Sequence, residues 1–280
     1  MYSSPPGREH FILDSNFPKR LKASGYDRTV DFVQILFKKY SQCGLTNKSD
    51  RDTAISGLVK RIESALGTEG RYGVFDCFFS RLLLWKRSDK EKRVPSWPVM
   101  AYFSRLLLWK RFDKEKTDPI VYNGRRVPSW SWMAYNGGID FMSDSTLMVP
   151  RSEDLGFDTN REALVMKIKW FEDPGFGTSR AALAVKVRQF EYCRMEQGEK
   201  EHAIFANSGR VGSLWFDMAA KIEFRHCVVV GMRKDQKEDP QKTYYILVVR
   251  ETPREEYERL GVGKVKARYV SKESDTGKLV

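Results

Sequence analysis

The residues best suited to nucleophilic or metal chemistry are few: four cysteines, Cys43, Cys77, Cys193 and Cys227, and three histidines, among them His202 and His226. Zinc and iron–sulfur sites draw their ligands from close pairs, and no C-x-x-C pair occurs, so no metal site is expected. His226 and Cys227 are adjacent in a segment that reads as a strand. Neighbouring strand residues point to opposite faces, which places them poorly as a base and its nucleophile. His202 follows Glu201 in a polar stretch and reads as a surface histidine. Glu191 and Glu196 could oppose Glu172 and Asp173 as a hydrolase pair, but solvated surface carboxylates account for them more simply. Neither a G-x-S-x-G elbow nor a G-x-x-x-x-G-K-[ST] loop is present. Gly261-Val262-Gly263-Lys264 lacks phosphate-loop spacing and reads as a glycine-lined turn between strands. No catalytic residue, cofactor or metal ligand is assigned.

The segment that stands out is aromatic. In VPSWSWMAYNGGIDF, residues 127–141, Pro128 stiffens the approach to Trp130, Trp132 and Tyr135, and Gly137-Gly138 follow. Such a cluster could stack on a base or grip a protein partner. It could equally plug the junction between two layers, since each large aromatic buries about 150–250 Å².

The elements that would position this segment fall into two halves. Residues 1–26 read as an irregular lead-in. Val30, Val33, Phe37 and Tyr40 share one face of a helix, with Asp27 as its cap and Gly44 as its stop. Ser49 caps a second helix that ends at Gly67, with Ile55, Leu58, Val59, Ile62 and Leu66 as its buried stripe against the first. A third helix is expected from Tyr72 to about Arg87. Its end is duplicated: FSRLLLWKRSDKEK at 79–92 returns at 103–116 with one change, Ser88 against Phe112. RVPSWPVMAY at 93–102 returns as RVPSWSWMAY at 126–135. Repeat folds need about three units to close a core, so two copies read as an insertion rather than a solenoid. Leu82, Leu83, Leu84 and Trp85 should then compete with Leu106, Leu107, Leu108 and Trp109 for one site.

After residue 150 the period changes. Leu164–Trp170, Ala182–Arg188, Ile222–Val230 and Thr243–Val249 are rich in β-branched and aromatic residues, and Asn207-Ser208-Gly209 marks a turn. Lys264–Val270 could add a strand. The expected class is α+β: a helical region over 27–150 carrying the duplicated unit (79–102 and 103–135), a mainly antiparallel β-rich region over 151–270, and a disordered tail over 271–280.

Hydrophobic residues make up 41% of the 280 and aromatics 13%, which excludes a disordered chain. The N-terminus lacks the pattern of a secretory signal and no apolar run is long enough to span a bilayer, so a soluble, cytoplasmic protein is expected. A net charge of +12 would suit nucleic acid or an anionic surface. The densest basic group, Lys86, Arg87, Lys90, Lys92 and Arg93, is broken by Asp89 and Glu91 and reads as a solvated helix end.

Four stretches together carry a family resemblance. Residues 127–141 resemble the Pro-Ser-Trp-Ser-Trp segment downstream of the heterokaryon-incompatibility (HET) domain of filamentous-fungal proteins. YSQCGLTNKSDRDTAISGLVKRI (40–62), GRYGVFDCFFSRLLLWKR (70–87), and the pair YYILVVRE (244–251) and YERLGVG (257–263) are similar to the same flank, in the same order. Two departures stand out. The helix and Pro-Ser-Trp unit occurs twice, and the upstream signalling segments of the family are absent. The resemblance implies a non-catalytic accessory or regulatory portion, or a remnant, with a role in non-self recognition and programmed cell death. A protein partner fits this reading. A basic nucleic-acid or anionic-surface binder is one alternative. A nucleotide hydrolase, its activity residing in an upstream domain, is another.

Overall fold

A computed structural model describes residues 17–18, 20–43, 48–88, 121–122, 125–142, 147–148, 182–199, 201–207, 209–217, 225–233 and 242–280. The repeated stretch 103–116, the 93–102 link and residues 164–170 lie outside the described residues, whereas the second Pro-Ser-Trp segment, 126–135, lies within them.

Helices occupy the first part. A single turn, α1 (Arg20–Ala23), leads through Gly25 into α2 (Tyr26–Ser41). Gly25 takes the cap position at φ 79, a backbone state that glycine adopts without penalty, while Asp27 falls inside the first turn. Val30, Val33, Phe37 and Tyr40 are buried together, as their spacing predicts. In α3 (Arg51–Leu66), Ile55 and Ile62 are buried while Leu58, Val59 and Leu66 pack partly buried against the same core. Gly67 ends it in the left-handed conformation, its N–H bonded to Glu63 O at 2.8 Å. The Tyr40 hydroxyl donates to Arg51 O at 2.6 Å and ties the two helices together.

The long third helix does not form. Residues 70–88 contain a small hairpin, β1 (Gly70–Arg71) and β2 (Val74–Phe75), then a 3-10 turn, one helical turn α4 (Phe79–Leu83), and β3 (Trp85–Arg87). Tertiary contacts override the helical period. Tyr72 and Gly73 both take positive φ at the hairpin turn. A Cβ on Gly73 would lie 2.3 Å from Trp132 Nε1, so the turn is moulded to that indole. Beyond Leu83 the main-chain oxygens turn outward to accept from other parts of the chain. Two short strands follow, β4 (Val121–Tyr122) and β5 (Arg125–Arg126), then a 3-10 turn at Trp132–Ala134, β6 (Ile139–Phe141), which pairs with β3, and β7 (Leu147–Met148). The described part of 121–148 therefore contains no α-helix.

Among the described residues the remaining strands form one nine-stranded sheet. In chain order its strands after β7 are β8 (Leu183–Gln189), β9 (Arg194–Glu196), β10 (His202–Ala206), β11 (Gly209–Phe216), β12 (His226–Arg233), β13 (Thr243–Glu251), β14 (Tyr257–Lys266) and β15 (Asp275–Leu279). The order β13-β12-β8-β15-β14-β11-β10-β9 curls back on itself through an added β13–β14 pairing, and β7 joins β12. All pairings are antiparallel except β14 with β15, which meet at Tyr257 and Leu279. Two expectations are corrected here. The 271–280 tail is a strand inside the sheet, because Leu279 is fully buried and β15 pairs with β8 along its length. The Gly261–Gly263 stretch is mid-strand rather than a turn. A Cβ at Gly261 would lie 2.3 Å from Trp215 O, and one at Gly263 2.6 Å from Ser213 O, so β14 needs both glycines to reach β11.

Both faces of the central strands are covered, which explains their continuous apolar runs. Val187, Val228, Leu247 and Val262 share a core with the helices. Cys227, Val229, Ile246, Val248 and Val265 face the other way, under Ile204, Leu214 and Tyr269. Fully burying each such side chain contributes about 1.5–3 kcal/mol.

Candidate functional site: the Pro-Ser-Trp junction

The aromatic segment lies where helices meet sheet. Pro128 is buried, Trp130 is 1% exposed and Trp132 is fully enclosed. Trp132 donates through Nε1 to Gly73 O at 2.8 Å and packs against Phe37 with ring centroids 5.1 Å apart. The Arg51 guanidinium lies 4.9 Å above the Trp132 ring while its Nη1 donates to Tyr135 O at 2.7 Å. Ser131, fully buried, donates to Tyr72 O at 2.6 Å and accepts from Met133 N–H at 3.0 Å. Ser129 donates to Val280 O and accepts from the Arg259 N–H at 2.9 Å, which joins the motif to β14 and to the chain's last residue. Trp130 differs from Trp132. Its carbonyl accepts from Trp85 Nε1 at 3.0 Å, but its own indole N–H is buried with no hydrogen-bond partner among the described residues.

Arg259 completes the junction. Its side chain is wholly buried and forms a two-pronged pair with Asp217, Nε to Oδ2 at 2.7 Å and Nη2 to Oδ1 at 3.2 Å. Its Nη1 donates to Leu83 O at 2.7 Å, its Nη2 to Trp85 O, and the guanidinium carbon lies 3.7 Å over the Trp85 ring. Burial pushes the Asp217 carboxyl upward and Arg259 pulls it back. Satisfying every charged edge in this way is what makes a buried ion pair tolerable.

The partly exposed rim is Tyr135. Burial raises its hydroxyl above the ordinary value, with Arg87 opposing. Arg87 lies 5.5 Å from the Tyr135 ring, and Lys86 4.5 Å from the Trp215 ring. The two indoles are thus the plug of an interior joint, and Tyr135 alone of the aromatic triplet reaches solvent.

The other sequence candidates are dispersed. His226 sets its ring edge against Tyr257 at 5.8 Å, while Cys227 faces the opposite core, where burial raises its thiol. His202 is not a surface residue. It is 8% exposed, its ring meets Phe216 edge-on at 5.0 Å, and Nδ1 accepts from Gly198 N–H at 3.4 Å. Glu196 pairs with Arg194 at 3.1 Å on the surface, and Glu172 and Asp173 lie outside the described residues. Among the described residues no group of three or more His, Cys, Asp or Glu could hold a metal ion, and no helix is long and apolar enough to cross a membrane.

Sequence reading missed Arg51, Asp217 and Arg259. Arg51 and Arg259 lie in segments singled out for other reasons, but one arginine among 49 basic residues carries no mark of burial, and Asp217 lies outside those segments.

No protein-family model, curated protein or solved structure matches the chain.

Proposed function

We propose that the chain is a non-catalytic accessory or regulatory portion of a heterokaryon-incompatibility-type protein, serving non-self recognition and programmed cell death through a protein partner. One observation carries this reading. The four separate stretches that resemble the incompatibility flank are bonded to one another. Arg51 of the first reaches Tyr135 of the third. Ser131 and Trp132 of the third reach Tyr72 and Gly73 of the second. Arg259 of the fourth reaches Leu83 and Trp85 of the second and Ser129 of the third. Residues spread over the sequence serve one shared joint, so the motifs of the resemblance specify a scaffold. Their polar groups are engaged in holding it, with Asp217 bound to Arg259 and both motif serines bonded to main-chain oxygens. A scaffold of this kind presents a surface to a partner and leaves the reaction to another domain.

The test is expression in a filamentous fungus, with and without an incompatibility signalling domain supplied as a separate polypeptide. The chain alone should leave growth unchanged, bind the signalling domain, and alter the death that domain triggers. Turnover of NAD by the purified chain would contradict the reading. So would salt-dependent binding to single-stranded RNA at about 50 mM salt without binding to the signalling domain.

A further inference from the structure

Residues 79–87, FSRLLLWKR, recur unchanged at 103–111. The first copy fills a slot between α2, β6 and β14. Leu82 and Leu84 are fully enclosed there, with Leu83 2% and Trp85 1% exposed. The following hydrogen bonds join it to residues outside both copies, and each uses a group that both copies possess. Gln34 Nε2 donates to Arg81 O at 3.1 Å. Met142 N–H donates to Leu84 O at 2.9 Å, and Arg259 grips Leu83 O and Trp85 O. Trp85 Nε1 donates to Trp130 O, and Trp85, Lys86 and Arg87 pair with Phe141, Asp140 and Ile139. Main-chain oxygens do not distinguish one copy from the other, and the side chains that matter are the same. The slot first meets a difference at residue 88, where Ser88 N–H donates to Gly138 O at 2.9 Å and the second copy carries Phe112.

We propose that this slot is a binding site with two occupants in one chain, and that residues 103–111 dock there in place of 79–87. The exchange shifts the register by 24 residues while α2, β6 and the sheet keep their places. Its balance is set by the flanks alone, since the docked contacts cancel: Ser88 against Phe112 beside Gly138, and the lengths of chain looped out on either side. Docking 103–111 opens a new loop of 24 residues after Phe78 and shortens the one beyond the slot by the same number. A loop's closure cost is a constant plus a logarithm of its length, so the exchange carries a bounded entropic cost in favour of the first copy. Two packings separated by no more than such a cost form a two-state element that a partner can bias by binding one of them.

Four full-length chains test this by urea unfolding: wild type, Leu83→Asp, Leu107→Asp, and the double variant. Leu107→Asp should leave the midpoint unchanged. Leu83→Asp should keep a cooperative transition, because the second copy takes the slot, and the double variant should lose it. Leu83→Asp unfolding as completely as the double variant overturns the proposal, and so does a double variant that keeps the wild-type transition. Fluorine NMR of 5-fluorotryptophan-labelled protein reads occupancy directly. In Leu83→Asp the Trp109 resonance, assigned with Trp109→Phe, should move to the position held by Trp85 in wild type; a Trp109 resonance that stays in place contradicts docking. Removing residues 79–102 gives the same polypeptide as removing 88–111. That shortened chain should fold with a wild-type midpoint within a few tenths molar urea, and failure to fold would show that Phe112 cannot follow a docked copy.

Discussion

Arg259 and Asp217 meet as a buried two-pronged ion pair, and the remaining N–H groups of the same guanidinium hold the main chain at Leu83 and Trp85. The pair thereby fixes the one stretch whose local sequence asks for helix into a strand beside β6. Removing one partner strands a buried charge, so Arg259→Met or Asp217→Asn should each cost about 3–5 kcal/mol in urea unfolding. The double replacement Arg259→Met with Asp217→Leu should cost less than the sum of the two single changes, because no orphaned charge remains.

The two tryptophans of the Pro-Ser-Trp-Ser-Trp segment should respond differently to loss of the indole nitrogen. Trp132→Phe leaves Gly73 O without its donor, whereas Trp130→Phe removes an N–H that has no partner among the described residues. An unsatisfied buried group costs about 1–3 kcal/mol. Trp132→Phe should therefore be the more destabilising by about 1–2 kcal/mol, measured by thermal and urea unfolding. Equal losses would contradict the difference in their hydrogen bonding.

Glycine positions offer a second contrast. Ala at 261 would drive a Cβ to 2.3 Å from Trp215 O, a backbone atom that cannot step aside alone. Gly261→Ala should destabilise by at least about 1–3 kcal/mol, the usual cost of overpacking. Gly57, inside α3, has nothing within 4 Å of an added Cβ, so Gly57→Ala should stabilise by about 0.4–1 kcal/mol.

Much of this architecture was legible in the sequence. Gly67 marked the end of α3, and the apolar face of α2 was visible in its spacing. The β-branched runs at β8, β12 and β13 read as strands; β12 and β13 are continuous because both their faces are buried, whereas β8 alternates. What escaped depends on partners far along the chain. The helical period of Phe75 to Leu83 is real, but Gly73 must meet Trp132 and Leu83 O must meet Arg259, and no local pattern encodes either. The C-terminal strand was hidden by Asp275, Thr276 and Lys278, whose side chains leave the pairing with β8 to the backbone. In the site, the placement of Trp130 and Trp132 at a junction was one of two open readings, and the arginines that complete it carried no signal of burial.

Thiol chemistry gives an independent check on burial. The thiols of Cys43 and Cys193 are pushed up from 9.0 to about 11, chiefly by burial. Since each pKa unit is a tenfold change in thiolate below the pKa, both should react about a hundredfold more slowly than a free thiol at neutral pH. Labelling of the native protein with a disulfide reagent, followed by mass spectrometry, measures this. Full reactivity should return in urea.

Native-state hydrogen exchange tests most directly whether the junction makes helices and sheet one unit. Amides of α2 and of β13 should share one limiting free energy of opening, and Asp217→Asn should lower both by the same amount. Loss of protection in α2 with β13 unchanged would contradict a shared joint.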